Sequence, residues 1–320
     1  MAEIGIVIPV YNGGRYLAET LESVLAQTFA DWTLVIVDDG STDESGVIAD
    51  TFATRDSRIC VLHIANAGIA AARNAGLQAH GTECAAAIFL DADDIWYPDS
   101  LQILHQALLD NPLAVGAHGT HCLINDVGHP LHPSPIEQLY FGPRRVLATW
   151  WPKRVPVERP TTFAVIALMN PIVSPGAALI RYGALIHAGE FDLAVSPLED
   201  WDLWLRLTTH GYLAFVDRTV LAYRRHKDSA SARLTIMATA HQALHHKHSS
   251  SAQLSPARRK LLADGSTWVV ILLRWVWTRE HWAARRYRQA VAEARRAGWV
   301  IARAYTRSIR RRVARSIETV

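Results

Sequence analysis

Apolar residues gather in short unbroken runs along the first third of the chain. IGIVIPV spans residues 4–10, TLVIVD 33–38, ICVLHI 59–64 and AAIFLD 86–91. A run that is apolar at both odd and even positions reads as a strand covered on both faces. Between the runs the period becomes helical. Leu17, Leu21, Val24 and Leu25 recur at helical spacing, and GIAAARNAGLQAH, residues 68–80, is built of good helix formers. The turn-forming DGSTD closes the second run. Strand and helix thus alternate four times in the first 91 residues. That alternation predicts an α/β fold, a doubly wound, mostly parallel sheet with helices on both faces. Ligands of such sheets bind beyond the carboxyl ends of the strands. Asp38, Asp39 and Asp91 sit at those ends.

Further along, a helix is expected after Pro98, to about Leu109. From Pro112 to Pro175 prolines are frequent, Trp150 and Trp151 adjoin, and periodicity fades. Such a stretch reads as part strand and part long loop, a place for a substrate-specific wall. GAALIRYGALIHAG and WDLWLRLTTHG restore the strand and helix signals, and YLAFVD and TVLAYRR read as two closing strands. From about residue 232 the chain reads as helical throughout, without solenoid repeats. HQALHHKH, residues 241–248, has histidines at i, i+4 spacing. With no carboxylate or cysteine beside them, a solvated helix face is a better reading than a zinc site.

A length of 320 residues fits one large α/β domain with an appendage, or two domains. The formal charge of +3 hides a division. Residues 285–320 hold eleven arginines against Glu293 and Glu318, a net of +9, which leaves −6 for the rest. Cys60, Cys84 and Cys122 are too scattered for a disulfide framework or a zinc site and fit a reducing compartment. MAEIGIVIPVYN has no basic leader, and WVVILL is far short of the roughly 20 residues that span a bilayer. A cytoplasmic location is expected.

The stretch FLDADDIWYPD crowds Asp91, Asp93, Asp94 and Asp99 into eleven residues. Carboxylates this close repel one another unless a cation lies among them. A hard divalent cation takes oxygen ligands, and Mg²⁺ or Mn²⁺ binds through one or two carboxylates plus substrate phosphates. A nucleoside diphosphate is then the natural third party. The plainer alternative makes Asp93, Asp94 and Asp99 acids at a helix N-terminus. Glu199 and Asp200 precede a later helix and can cap it as well as do chemistry.

Five segments together carry a resemblance. IVIPVYNGGRYLAETLESVLAQTF, VIVDDGSTD, NAGIAAARNAGL, FLDADD and LEDWDLWLRL follow the order and spacing of family 2 glycosyltransferases with a GT-A fold. The likeness is dense over residues 4–110 and sparser over 174–228. It implies that Pro9, Tyr11 and Asp39 hold the nucleotide, Asp39 accepting the N3–H of uracil or thymine. It further implies that Arg73 lies near the nucleotide, against the alternative of a helix-surface arginine. Asp91 and Asp93 match the family's D-x-D, Asp91 nearer the ribose and Asp93 on the metal. His226, in YRRHKDSAS, would complete a Mn²⁺ or Mg²⁺ site formed with Asp93 and Asp91 or touch the diphosphate, and Arg224 and Arg225 would meet phosphate oxygens. Gly176, in SPGAAL, matches the loop where acceptor approaches donor. Asp200 is the implied general base, with Glu199 positioning a substrate. Trp201, with Trp96, Trp150 and Trp151, would stack on sugars or pack in the core.

The implied organisation is a GT-A domain over 1–230, with a nucleotide-binding half (1–110) and an acceptor half (111–230), then a helical, basic extension over 231–320. The implied activity is metal-dependent, inverting transfer of a single sugar from a UDP- or dTDP-sugar to a hydroxyl of a glycan or lipid-linked acceptor. The Q-x-x-R-W motif of processive polysaccharide synthases is absent. Two alternatives remain: a catalytically silent nucleotide-sugar-binding scaffold, and a sugar-1-phosphate nucleotidyltransferase, for whose phosphate loop PVYNGGRYL is a poor match. No G-x-G-x-x-G follows any strand, which argues against a dehydrogenase. In the tail, Tyr287, Val291, Ala294, Ile301, Tyr305, Ile309, Val313 and Ile317 recur at helical spacing among arginines. This basic amphipathic helix either meets the anionic cytoplasmic face of a membrane, where lipid-linked acceptors reside, or packs on the catalytic domain. Nucleic acid is the weaker partner, because the body is acidic and carries no recognition motif.

Overall fold

A computed structural model describes residues 3–81, 84–132, 160–227 and 234–265, together with 288, 289, 291, 292, 295 and 296. The chain divides into two units, Met1–Ile166 with Asn170–Arg233, and Ala167–Met169 with Leu234–Val320.

The first unit is built on one eight-stranded sheet. In chain order its strands are β1 (Ile4–Val10), β2 (Trp32–Asp38), β3 (Ile59–His63), β4 (Ala86–Phe89), β5 (Ile95–Trp96), β6 (Gly116–Ile124), β7 (Ala178–Arg181) and β8 (Leu213–Arg224). The helices are α1 (Gly14–Leu25), α2 (Ser45–Arg55), α3 (Ile69–His80), α4 (Ser100–Asp110), α5 (Phe163–Ile166), α6 (Tyr182–Ala188) and α7 (Glu199–Leu207). The sheet order is β3-β2-β1-β4-β7-β6-β8-β5. The first four strands pair in parallel, as their apolar runs predict. β7 then enters antiparallel to both β4 and β6, β8 runs parallel to β6, and β5 caps the far edge antiparallel to β8. The central β1 and β4 are buried at every position, whereas the edge strand β3 is partly open.

YLAFVD and TVLAYRR, expected as two strands, form the single strand β8. Asp217, Arg218 and Thr219 look like a turn in sequence but point to solvent within the strand. Register shifts around Thr120 in β6 absorb the irregularity, as a bulge does, and pairing resumes beyond it. Residues 133–159, with Trp150 and Trp151, lie outside the described residues.

In the second unit, α8 spans Leu234–Ser250. The expected continuous helix is interrupted at 251–255 and resumes at 256–265. Ser255 Oγ accepts the Arg258 N–H and Pro256 takes the first helical position, a start signal inside an apparently unbroken pattern. The histidine-rich stretch is also not the solvated face expected of it. His241 and His248 are buried on the face that carries Met237, Ala240 and Leu244, and burial pushes His241 down to about 4. Of the tail's apolar stripe, Val291 is described, helical and exposed. The rest of that stripe lies outside the described residues. Among the described residues no helix is long and apolar enough to cross a membrane.

Candidate active site

The site forms where the strands of the first unit end. Pro9 is buried within β1 opposite Val37, and Tyr11 beyond the strand is 55% exposed. Asn12 adopts the left-handed backbone region at φ 51°, which its short polar side chain tolerates. From there it ties two loops together. Its N–H donates to Ser41 Oγ at 3.0 Å, and its Oδ1 accepts the Thr42 N–H at 2.8 Å. Asp39 is buried at the end of β2 and accepts the N–H groups of Ala67 (2.7 Å) and Gly68 (2.9 Å), fastening the turn that leads into α3. Each of its oxygens retains a second lone pair.

The crowded acids after β4 turn out to do three different things. Asp94 is fully buried, and its two oxygens accept the Arg224 N–H (3.0 Å) and the Ser174 hydroxyl (2.8 Å). Burial, reinforced by Asp93 and Asp91, raises its pKa well above the ordinary carboxylate range. Asp93 pairs instead with His226 Nε2 at 2.8 Å, and both side chains reach solvent. Asp91 pairs with Arg73 at 2.5 Å. Thr20 holds the backbone of the turn through Ala92 O and Asp94 O.

The cation that lies among these acids is Arg73. Far from a helix-surface arginine, it is 2% exposed, with Nη2 on Asp91 and Nη1 on Glu199 at 2.5 Å each. Among the described residues its Nε and the second oxygen of Glu199 have no hydrogen-bond partner. Burial opposes the guanidinium charge, but Asp91, Glu199 and Asp200 outweigh it and raise the arginine pKa. Breaking such a buried pair from one side leaves an uncompensated charge. The next residue, Asn74, binds Phe191 in both directions, Nδ2 to its O at 2.9 Å and Oδ1 from its N–H at 2.8 Å. Gly76 then lets α3 lie close on β1: a Cβ there would stand 2.4 Å from Val7 Cγ1. One helix thereby fastens the segment leading to Glu199 and Asp200 onto the sheet.

Asp200 lies in the first turn of α7 and accepts its neighbour's N–H, that of Trp201, at 2.6 Å. Burial pushes its pKa up to about 8, helped by Glu199 and opposed by Arg73, although the residue keeps part of its surface in solvent. Gly176 and Trp201 stand in closed packing. A Cβ on Gly176 would lie 2.9 Å from Leu90 Cδ1, its carbonyl accepts Trp96 Nε1, and Trp201 Nε1 donates to Ile166 O. Trp96 and Trp201 are both buried, so neither offers an open ring to a sugar. Arg224 likewise is spent on protein oxygens, Asp93 O at 2.8 Å and Glu19 Oε2 at 2.6 Å, and is buried under Tyr16.

Among the described residues no three histidine, cysteine, aspartate or glutamate side chains are grouped to hold a metal by themselves. Of the implied set, Asp91 is engaged by Arg73, whereas Asp93 and His226 pair with each other. The Asp93–His226 pair still fits a divalent ion. A carboxylate and an imidazole meet at a partly open surface, and the remaining positions of an ion bound there would fall to substrate oxygens.

The sequence pattern described as "Glycosyl transferase family 2" matches residues 5–186. The chain belongs to that family. Glycosyltransferase GlyG of Streptococcus pneumoniae is 42% identical over 104 residues, 32% of this chain and 34% of that protein. An uncharacterized glycosyltransferase of Rickettsia prowazekii is 26% identical over 226 residues, 70% of this chain and 64% of its own. The matches thus span from a third to just under two thirds of these relatives' lengths. Among solved structures, mannosyltransferase PcManGT from Pyrobaculum calidifontis, in complex with GDP-Man and Mn²⁺, gives a TM-score of 0.64 at 16% identity, over 96% of this chain and 80% of that one. Staphylococcus aureus TarS 1–349, in complex with UDP-GlcNAc, gives 0.61 at 15% identity, over 82% and 71%. At such identities the likeness establishes the GT-A fold alone. For this family member, sequence reasoning missed the anchors Asn74, Ser174 and Glu19. Asn74 left a signal, because it stands beside Arg73 and two residues before Gly76 on a helix rich in alanine.

Proposed function

We propose that this chain is a metal-dependent, inverting glycosyltransferase that moves a single sugar from a nucleotide-diphosphate sugar, UDP- or dTDP-linked, to a hydroxyl of a glycan or lipid-linked acceptor. The observation that carries the reading is the buried Arg73 bridge. One guanidinium joins Asp91, on the donor side, to Glu199 beside Asp200, so that both acid clusters belong to one site. Asp200 takes the proton of the attacking hydroxyl as the new bond forms. Tyr11 and Asp39 flank the base, and Asp91 faces the ribose. A Mn²⁺ or Mg²⁺ ion held by Asp93 and His226 would neutralise charge on the departing diphosphate. Residues 1–230 form the catalytic region in this reading, and the basic segment beyond it favours an acceptor at an anionic membrane surface on the cytoplasmic side.

The test is UDP, dTDP and GDP binding by calorimetry with Mn²⁺, with Mg²⁺ and with EDTA, followed by nucleotide release from the corresponding sugars. UDP or dTDP should bind in a metal-dependent way, and Asp93→Ala should remove most of that dependence. Equal affinity with and without EDTA in the unaltered protein sinks the metal assignment. Binding without any nucleotide release from any donor, with simple sugars or water as acceptor, favours the silent scaffold.

A further inference from the structure

Behind the turn expected to receive the base, His63 closes a clasp between two carboxylates. It is the last residue of β3, paired in register with Asp38 at the end of β2. Its Nδ1 meets Asp38 Oδ2 at 3.0 Å and its Nε2 meets Asp50 Oδ1, on α2, at 3.1 Å. Asp38 is itself buried, and its other oxygen accepts the Ser41 N–H at 3.0 Å. Ser41 Oγ in turn accepts the Asn12 N–H. A continuous line of hydrogen bonds therefore runs from Asp50 through His63, Asp38 and Ser41 to the residue next to Tyr11. The turn has little freedom to rearrange without it. Gly40 sits at φ 72° with room for no side chain, since a Cβ would stand 2.9 Å from Asn66 N.

We infer that His63 is a positioning residue for the donor nucleotide, holding the 38–42 turn and the loop after β1 in their binding arrangement only while both of its ring nitrogens donate. This rests on the nucleotide reading of that turn given above. The chemistry is specific to the imidazolium. A neutral imidazole has one N–H and one lone pair, so it can satisfy one carboxylate and must present a lone pair to the other. Asp38 from β2 and Asp50 from α2 are the charged groups acting on the ring, and Gly46 of α2 offers it only backbone. The hydrogen bond to Asp38, then that to Asp50, raises the His63 pKa against a smaller effect of burial. Asp38 answers in the opposite sense: burial would raise it, but hydrogen bonds from Ser41 and His63 hold it below the ordinary aspartate value. The clasp is thus closed below the raised His63 pKa and opens as pH climbs through it. His63 is 50% exposed, so the effect is modest, about two- to fivefold in affinity, as for other half-exposed ion pairs.

The experiment compares UDP affinity with Mn²⁺ in the unaltered full chain, H63Q and D50N, from about pH 5.5 to about pH 8.5. Titration of the UDP phosphate and of Asp200 affects all three alike and cancels in the ratios. The unaltered protein should bind about two- to fivefold more tightly than H63Q at the acid end, the ratio falling toward one at the alkaline end. D50N removes a charge that raises His63 without touching the turn, so the midpoint of that fall should move to lower pH. A ratio that is constant with pH, whatever its size, or a D50N midpoint that does not move, overturns the proposal while leaving the nucleotide reading intact. Absence of any UDP, dTDP or GDP binding in the unaltered protein overturns both.

Discussion

If Asp200 is the general base, the reaction should be starved of its working protonation state at neutral pH. Its pKa is pushed up to about 8 by burial first and by the Glu199 charge second. Only the deprotonated form can accept a proton, so the rate must rise with pH. By mass action about one molecule in eleven is competent at pH 7 and about ten in eleven at pH 9, a rise of about tenfold in kcat/KM, the quantity that reports free-enzyme ionisations. Asp200→Asn keeps the shape of the side chain and cannot take a proton. It should lower kcat by about 10²–10⁴-fold and flatten the profile. Glu199→Gln removes a charge that raises Asp200, so the residual activity should show its midpoint displaced to lower pH. The assay is initial-rate nucleotide release at limiting donor with Mn²⁺, across about pH 6 to about pH 9.5. A flat profile in the unaltered protein, or an Asn variant that keeps both rate and profile, refutes the assignment. A Glu199→Gln midpoint that moves upward refutes the electrostatic account of it.

Gly76→Ala should lower stability by about 1–3 kcal/mol, the usual cost of overpacking, because the added methyl would meet Val7 Cγ1 at 2.4 Å and Val37 Cγ2 at 3.1 Å in a fully buried strand pair. An unchanged denaturant midpoint would show that α3 is not seated as closely as described. For the tail, the full chain should co-sediment with anionic vesicles at low salt and release as salt rises, since each basic side chain near such a surface contributes about 1 kcal/mol within a Debye length of about 8 Å. Sedimentation that ignores salt, or none at all, removes the membrane reading.

The parallel half of the fold was legible because its strands are buried on both faces and leave unbroken apolar runs, with a helical period between them. The strand order of the antiparallel half was not. β7 comes between β4 and β6 although it lies far along the chain from both, and β5 is only two residues long. Neither feature leaves a periodic trace. Long-range pairing likewise hid the continuity of β8, whose polar middle mimics a turn. The break after α8 failed for a different reason: Ser255 and Pro256 were a local start signal, and the helical composition around them masked it.

The acids of the site show where residue type stops being informative. Asp91, Asp93 and Asp94 have the same side chain within four residues, and no local property separates them. What does so are partners at positions 73, 226, 224 and 174, supplied by α3, the segment beyond β8, β8 itself and the turn before β7. A sequence pattern can state that a cation must lie among such carboxylates. It cannot state that the first cation is a buried arginine, shared between Asp91 and Glu199. The same sharing sets the character of Asp200. One guanidinium faces three carboxylates, Asp91, Glu199 and Asp200, so negative charge remains in excess around it. Glu199 and Asp91 both hold Arg73 directly, whereas Asp200 accepts the N–H of Trp201. The raised pKa of the proposed base comes first from burial and then from the Glu199 charge, with Arg73 opposing both, so any change that loosens Arg73 from Asp91 or Glu199 must be felt at Asp200.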